Sequence, residues 1–285
     1  MDRLTPTRPV ALRHDGRWRE YLLHVPPLLD ARPRPLVLAL HGGGGTPASV
    51  DRLTGLYALA DREGFVLAVP RGIGGNWNDG RPDAPFRARI GEVDDVGFLD
   101  ALIDHVASGG PIDQGRVYVT GMSNGASMAG RLACELATRI AAIGQVAGTA
   151  SPDVVARSQP ACPVPVLQIH GTADPLVPYA GGTVRGPLGR RRGTVLGVEA
   201  WAAFWVAHNG ATVGPAVSSL GADTTVRSWH GPTPQSDVVC YRVEGGGHTW
   251  PGGSQYLPSP LIGKTTRTFS ASEVIWHFFA DHRRA

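Results

Sequence analysis

Residues 119–128 read VTGMSNGASM, and they decide the fold because they combine three signals. An apolar, β-branched run leads into the stretch, Ser123 stands between Gly121 and Gly125, and small residues follow. A serine on a tight turn between a strand and a helix is the context of a nucleophile elbow. A chain with 38 glycines in 285 residues also produces G-x-S-x-G by chance, so the surrounding elements must decide.

Apolar runs and helical repeats alternate along the chain. Strands are predicted at 36–40, 65–70 and 237–243 and in the segments GRVYVTG, AAIGQVAG and PVPVLQIHG; helices are predicted at 49–63, 92–107, directly after Ser123, at 195–209 and at 271–283. Because the strands are continuously apolar, they favour a parallel sheet that is covered on both faces. The sequence therefore predicts an α/β fold with a single domain over residues 1–285, of which 1–18 form an N-terminal extension.

Composition excludes several classes of protein. The formal net charge is only +3, and the basic cluster at residues 190–192 is too short to bind nucleic acid. We expect this cluster to be a solvated loop, with substrate contact as the alternative. No apolar run reaches the roughly 18 residues of a membrane span, and the N-terminal residues lack the apolar core of a signal peptide. Neither a nucleic-acid nor a membrane partner is expected.

Two further residues complete a constellation with Ser123. A serine nucleophile needs a histidine base, and the histidine needs an orienting carboxylate. In chain order, Asp174 follows the strand PVPVLQIHG and His248 follows the strand at 237–243, and open α/β sheets place their sites at such strand ends. Asp174 could instead be a turn residue before a proline. His170 is the rival base, although we expect it to support the Asp174 loop.

An acyl-transfer site also needs N–H donors for the oxyanion. The first is predicted to be the backbone N–H of Asn124, directly after the nucleophile. The second is predicted in the glycine loop LHGGGG, with Gly43 as the first choice and Gly42 and Gly44 as alternatives. A flexible surface loop is the competing interpretation of these glycines.

The lining of the substrate pocket is predicted from aromatic and polar residues on the same loops. Trp77 and Trp250 are candidates because loop tryptophans often mark binding surfaces, and Asn76 and Tyr179 are weaker candidates. For each tryptophan, packing within its loop is the alternative.

Together, the segments LHGGGG, GNWNDGR, VDDVGFLDALID, GMSNGASMAGRLACE, IHGTADPLVPYAGG and GGGHTWPGG make the chain resemble the polyhydroxybutyrate depolymerase/feruloyl esterase family of serine esterases. The resemblance covers roughly residues 20–280. It implies an α/β-hydrolase fold, ester hydrolysis, and the catalytic triad Ser123, Asp174 and His248, with no metal and no organic cofactor.

Two departures from this family matter. Members often carry a cysteine pair where this chain reads NGAT and WHGPTP, so that disulfide is expected to be absent. Its absence weakens the case for a secreted, disulfide-braced protein and leaves the compartment open. No polymer-binding domain is expected after the last helix, which favours soluble esters or oligomers over a solid polyester.

The sequence thus predicts a serine esterase that forms an acyl-enzyme. Hydroxyalkanoate oligomers or polyesters and feruloyl-type esters are the expected substrates. A peptidase with the same triad and a non-catalytic binding protein on a hydrolase fold are the alternatives. The oligomeric state is left undetermined.

Overall fold

A large mixed sheet forms the centre of the fold. The computed structural model describes residues 7–27, 32–186 and 189–284, and within those ranges ten strands form one sheet and two form a separate hairpin. The strands are β1 (Thr7–His14), β2 (Arg17–His24), β3 (Arg34–Leu40), β4 (Val66–Pro70), β5 (Ile112–Met122), β6 (Ala142–Val146), β7 (Val166–Gly171), β8 (Gly182–Arg185), β9 (Arg191–Val195), β10 (Val213–Leu220), β11 (Thr224–His230) and β12 (Val238–Val243).

The order of the large sheet is β1-β2-β4-β3-β5-β6-β7-β12-β11-β10. From β4 to β12 every neighbouring pair is parallel, whereas the pairs at both edges are antiparallel. The carboxyl ends of the parallel strands therefore lie along one edge of the sheet. The loops after β3, β5, β7 and β12 all leave from this edge, and they carry the glycine loop, Ser123, Asp174 and His248.

Helices cover both faces of the sheet, as the continuously apolar strands predict. They are α1 (Pro47–Thr54), α2 (Leu56–Glu63), α3 (Arg87–Ile90), α4 (Asp95–Ser108), α5 (Asn124–Glu135), α6 (Pro152–Arg157), α7 (Val198–Asn209), α8 (Ser259–Ile262) and α9 (Ala271–Ala280). Leu102, Met128 and Trp205 of α4, α5 and α7 belong to one apolar core. Leu59 and Phe279 of α2 and α9 belong to the other.

Four predicted helices have different bounds. Those predicted at 195–209 and 271–283 are shorter, at Val198–Asn209 and Ala271–Ala280, and local contacts explain the other two. The helix predicted at 49–63 is broken by Gly55, which adopts φ +66° and caps α1 by donating to the Asp51 carbonyl at 2.8 Å. The helix predicted at 92–107 begins later, at Asp95, because the Asp94 side chain accepts a hydrogen bond from the Gly97 N–H at 2.8 Å and so acts as the N-cap.

The prediction of an N-terminal extension over residues 1–18 is wrong for the described part of that segment. Strand β1 pairs antiparallel with β2 along its whole length and forms one edge of the sheet. The sequence analysis missed the edge strands because one face of such a strand meets solvent, so the apolar signal is weak. Every residue of β10 except Leu220 is exposed. Residues 1–6 lie outside the described ranges.

Strands β8 and β9 form an antiparallel hairpin outside the large sheet. Val184 and Val195 of this hairpin pack with Val177 in a small apolar cluster of their own. The cluster joins the hairpin to the loop that carries Asp174. Within the described ranges, no helix combines the length and the apolar character needed to cross a bilayer.

Candidate active site

Ser123 adopts a backbone conformation that few residues other than glycine tolerate, with φ 58° and ψ −120°. Its N–H donates to the Val146 carbonyl of the neighbouring strand at 2.9 Å. The flanking residues must be glycines because there is no room for a side chain at either position. A Cβ on Gly121 would lie 2.6 Å from the carbonyl carbon of Gly125, and one on Gly125 would collide with the Leu40 carbonyl oxygen. This is the tight strand–turn–helix geometry that holds a nucleophile.

Asp174 and His248 are in direct contact although 74 residues separate them. His248 Nδ1 lies 2.7 Å from Asp174 Oδ2. The other carboxylate oxygen, Oδ1, accepts hydrogen bonds from the N–H groups of Leu176 and Val177, each at 2.8 Å. Both side chains are buried. The carboxylate is therefore held in place by the backbone of its own loop, and it fixes the orientation of the imidazole ring.

The charge of Asp174 is stable in this setting. Burial by itself would raise the pKa of the Asp174 carboxyl, but the positive charge of His248 and the hydrogen bonds from His170 and His248 outweigh it. The pKa therefore lies well below its usual range. An ionised Asp174 keeps a proton on His248 Nδ1 and leaves Nε2 to act as a base.

His170 lies behind the Asp174 loop. Its Nε2 is 2.9 Å from the Val177 carbonyl oxygen and 3.4 Å from Asp174 Oδ2, and its ring is fully buried. His170 does not line the cavity that holds Ser123. Its position matches the expectation that it supports the Asp174 loop. From that position His170 is not placed to act as the base for the Ser123 hydroxyl.

Ser123 and His248 share one cavity of about 290 Å³. Its apolar lining consists of Leu53, Phe86, Met122, Leu176, Val177, Val184, Tyr256 and Leu257. Within the described residues the Ser123 hydroxyl makes no hydrogen bond to the His248 ring. Such contacts often tighten only when substrate binds, so the absence of this hydrogen bond does not exclude His248 as the base.

The glycine loop after β3 closes the cavity on the side of the nucleophile. The N–H groups of Gly44 and Gly45 are engaged, since they donate to the carbonyls of Gly75 and Gly42 at 2.7 and 2.9 Å. Those of Gly43 and Asn124 have no acceptor among the described residues. A Cβ on Gly43 would lie 3.8 Å from Asn124 Cβ, so the two predicted donor residues are neighbours.

His41, which the sequence analysis did not select, holds this loop in shape. Its Nδ1 lies 2.8 Å from the Gly42 carbonyl oxygen, and its Nε2 accepts a hydrogen bond from the Gly72 N–H at 3.0 Å. Burial lowers the pKa of His41 against the opposing hydrogen bond to Gly42, and Arg71 lowers it further. The ring is therefore neutral, as its role as an acceptor at Nε2 requires.

Asn124 is fixed by its own side chain. Its Oδ1 accepts from the Trp77 N–H at 2.8 Å, and its Nδ2 donates to the Trp77 carbonyl at 3.1 Å and to Asp79 Oδ2 at 2.6 Å. Asp79 is buried and forms an ion pair with the buried Arg81. Because this network anchors the first residue of α5, it also sets the direction of the Asn124 N–H.

The structure contradicts the prediction that Trp77 and Trp250 contact substrate. Both are buried, and neither lines the cavity. Trp77 Nε1 donates to the His41 carbonyl at 2.9 Å, and Trp250 Nε1 donates to Ser272 Oγ at 3.0 Å. Both indoles pack their loops onto the sheet, which was the alternative considered for each.

Asn76 and Tyr179 do not line the cavity either. Asn76 lies behind the glycine loop, where its Oδ1 would be 2.9 Å from a Cβ on Gly43, and its amide donates to the Gly74 carbonyl at 3.0 Å. The Tyr179 hydroxyl donates to Glu199 at the start of α7. Neither side chain is therefore placed in the lining around Ser123, and their contact with substrate stays a prediction.

The basic cluster at residues 190–192 divides in two. Arg190 and Arg191 are exposed, as expected of a solvated segment, but Arg192 is half-buried and lines the cavity. Substrate contact was the alternative considered for this cluster, and the place of Arg192 in the cavity lining keeps that alternative open. Tyr256, whose hydroxyl donates to the His248 carbonyl at 3.0 Å, was not predicted, because its role depends on a contact that only folding creates.

Comparison with known proteins finds esterases among the relatives of this chain. Residues 92–186 match the family model described as phospholipase/carboxylesterase. NocK of Nocardia uniformis subsp. tsuyamanensis, which carries the name of an esterase, is 35% identical over 290 residues, covering 97% of this chain and 83% of that protein. A protein of Aspergillus niger named "Probable feruloyl esterase C" is 31% identical over 175 residues, or 59% of this chain and 60% of that one.

A solved structure supports the fold alone. The acetyl xylan esterase from Aspergillus awamori superposes with a TM-score of 0.57 over 81% of this chain and 89% of that chain, at 16% identity. The parallel sheet with helices on both faces is thus common to both.

Proposed function

This chain belongs to the α/β-hydrolase serine esterases, and from that premise we propose that it hydrolyses small carboxylic esters through an acyl-enzyme on Ser123. One observation carries the proposal. Ser123, in its strained turn, opens into the same cavity as His248, whose Nδ1 lies 2.7 Å from the buried Asp174. A nucleophile, a base and an orienting carboxylate are the three parts that acyl transfer by serine needs.

In the proposed mechanism, His248 Nε2 accepts the Ser123 proton while Oγ attacks the ester carbonyl. Asp174 holds the ring and stabilises its positive charge, and the N–H groups of Asn124 and Gly43 hold the oxyanion. The alcohol leaves with the proton from His248. Water then attacks the acyl-enzyme by the same route, and the acid is released with Ser123 restored.

The size and lining of the cavity favour small substrates with an apolar part. Its volume of about 290 Å³ is just below the usual range for small-molecule pockets, about 300–1,000 Å³. We propose hydroxyalkanoate oligomers and feruloyl-type esters as the substrate classes. The second class is supported by the similarity to a protein named as a feruloyl esterase.

Substitution of the nucleophile tests the mechanism. For Ser123→Ala we expect the initial rate on p-nitrophenyl acetate to fall by about 10⁴-fold or more, and labelling by a fluorophosphonate probe to disappear. Ser127→Ala is a matched control on the same helix, since that hydroxyl only donates to the Thr149 carbonyl at 2.7 Å. Full activity in Ser123→Ala would refute the proposal.

The substrate class is tested separately, with methyl ferulate and a soluble 3-hydroxybutyrate oligomer. Hydrolysis of either by the wild type, and not by Ser123→Ala, would support the corresponding class. Turnover of p-nitrophenyl acetate alone would leave the mechanism standing and remove both classes.

A further inference from the structure

The charges around the cavity are all of one sign. Three arginines, Arg81, Arg185 and Arg192, are among its lining residues, and no aspartate or glutamate among the described residues lines it. Low-dielectric walls with charges of one sign concentrate ligands of the opposite charge. The cavity that holds Ser123 therefore favours an anionic ligand, provided that the charges of these arginines are not already neutralised by carboxylates of the protein.

The charge of Arg81 is neutralised by Asp79. Its guanidinium pairs with the buried Asp79 through Nε and Nη2, and its Nη1 donates to the Arg192 carbonyl at 2.7 Å. It also lies 5.3 Å from the centre of the Phe86 ring. Every nitrogen of this guanidinium already has a partner, so Arg81 serves to hold the hairpin strand β9 against the loop that carries Asp79.

Arg192 is different. Among the described residues its guanidinium has no ion pair and no hydrogen bond, although it is half-buried. Asp83 lies beside the next residue of β9, but its carboxylate accepts from Thr194 Oγ1 at 3.3 Å. Burial lowers the pKa of Arg192, and the charges of Arg81 and Arg190 lower it further. A guanidinium remains protonated under these conditions, so an uncompensated positive charge stands in the cavity.

Arg192 lies close to Gly43 of the glycine loop, one of the two proposed donors to the oxyanion. Its Nη1 would lie 3.3 Å from a Cβ on Gly43, which lines the cavity and whose N–H has no acceptor among the described residues. A Cβ on the same glycine would lie 3.8 Å from Asn124 Cβ. The guanidinium and the two N–H donors therefore adjoin the same glycine, within reach of one small ligand.

We propose that Arg192 binds a carboxylate carried by the substrate itself, a few bonds from the ester that is cleaved. This inference rests on the proposed function, since it names the substrate class of the same site. A guanidinium matches a carboxylate with two parallel hydrogen bonds, and such charge-assisted bonds are stronger in a partly desolvated site. Two kinds of ester fit: monoesters of dicarboxylic acids, and hydroxy-acid oligomers with a free carboxyl end.

The test compares esters that differ only in that carboxylate. One pair is monomethyl glutarate and dimethyl glutarate; the other is the 3-hydroxybutyrate dimer as free acid and as its methyl ester, with products separated by chromatography. In at least one pair we expect the wild-type kcat/KM to favour the carboxylate by about 10- to 100-fold, the range for hydrogen bonds to charged groups. Added salt should reduce that ratio.

Arg192→Gln should bring the ratio near one, and Arg192→Lys should keep part of it, because the charge remains but the paired geometry is lost. Arg190→Gln is the matched control, since it removes the same charge two residues away on an exposed side chain. A ratio near one in the wild type for both pairs, or an unchanged ratio in Arg192→Gln, would overturn the inference. Neither result would touch the proposed function, which fails only if Ser123→Ala retains activity.

Discussion

The cavity has two walls that are built in different ways. The catalytic wall consists of the loops at the carboxyl edge of the sheet with Ser123, Asp174 and His248, and the side chains of Asp174 and His248 are held by hydrogen bonds of 2.7 to 2.8 Å. The hairpin wall consists of β8 and β9, which form their own two-stranded sheet. The reacting groups thus lie on loops at the edge of the large sheet, while charge recognition, as proposed for Arg192, lies on a separate hairpin.

The two walls meet at Val177. Its N–H donates to Asp174 Oδ1 at 2.8 Å, and its side chain packs against Val184 and Val195 of the hairpin. A change in the hairpin can therefore reach the carboxylate through this loop. If the comparison of the walls is correct, substitutions in the catalytic wall should lower kcat, and those in the hairpin wall should mainly raise KM.

The largest effect in this comparison is expected for Asp174→Asn. An amide in this position no longer holds the Nδ1–H tautomer of His248, so we expect kcat on p-nitrophenyl acetate to fall by about 10³- to 10⁴-fold. Initial rates at saturating substrate measure this, with Asp153→Asn on the exposed helix α6 as the control. A fall of less than tenfold would contradict the role of Asp174.

The same variant also tests how the free energy of unfolding depends on pH. Because the folded-state pKa of Asp174 is depressed, its contribution to stability is present above the pKa of an unfolded aspartate, about 3.9, and is lost as the pH falls through the folded value. Urea unfolding should therefore show the free-energy advantage of the wild type over Asp174→Asn shrinking as the pH falls from about 5 to about 3. An advantage that grows on acidification would have the wrong sign.

A smaller effect is expected for Gly43→Ala, also on the catalytic wall. The added methyl would meet Asn76 Oδ1 at 2.9 Å and Arg192 Nη1 at 3.3 Å, so either these side chains or the glycine loop must shift, and we expect the loop to move its N–H away from the oxyanion. Since losing one such donor costs about 100- to 1,000-fold, a partial shift should lower kcat by about 10- to 100-fold. Gly110→Ala, where the methyl meets open space, is the control. An unchanged kcat would remove Gly43 from the proposed oxyanion site.

The smallest effect is expected for Val195→Ala, on the hairpin wall. Its side chain is buried in the three-valine cluster but does not line the cavity, so the substitution loosens the hairpin without removing a contact to substrate. We expect KM to rise by about 3- to 10-fold and kcat to stay within about twofold, with a loss of about 1 kcal/mol in the free energy of unfolding. Val217→Ala on the exposed strand β10 serves for comparison. A kcat effect larger than the KM effect would show that the walls are not separable.

The central strands and the elbow could be predicted because their signals are local. Continuous apolar runs, tight glycines around Ser123 and polar residues just past the strand ends are all readable within a few residues. The pocket lining could not be predicted in this way. Trp77 and Trp250 were selected as exposed loop aromatics, yet both are buried, because burial depends on which surfaces the loops meet after folding.

The sequence by itself determined that this chain builds a parallel α/β sheet with a serine elbow, and in which order a carboxylate and a histidine follow it. Hydrophobic periodicity and the ends of apolar runs are properties of the sequence, so they can be recognised before the structure is known. Only the tertiary structure decided that His248 reaches Asp174, that His170 does not face the serine, and that Arg192 enters the cavity while Arg190 remains in solvent. These outcomes depend on distances between segments far apart in sequence, and packing of the whole domain sets those distances.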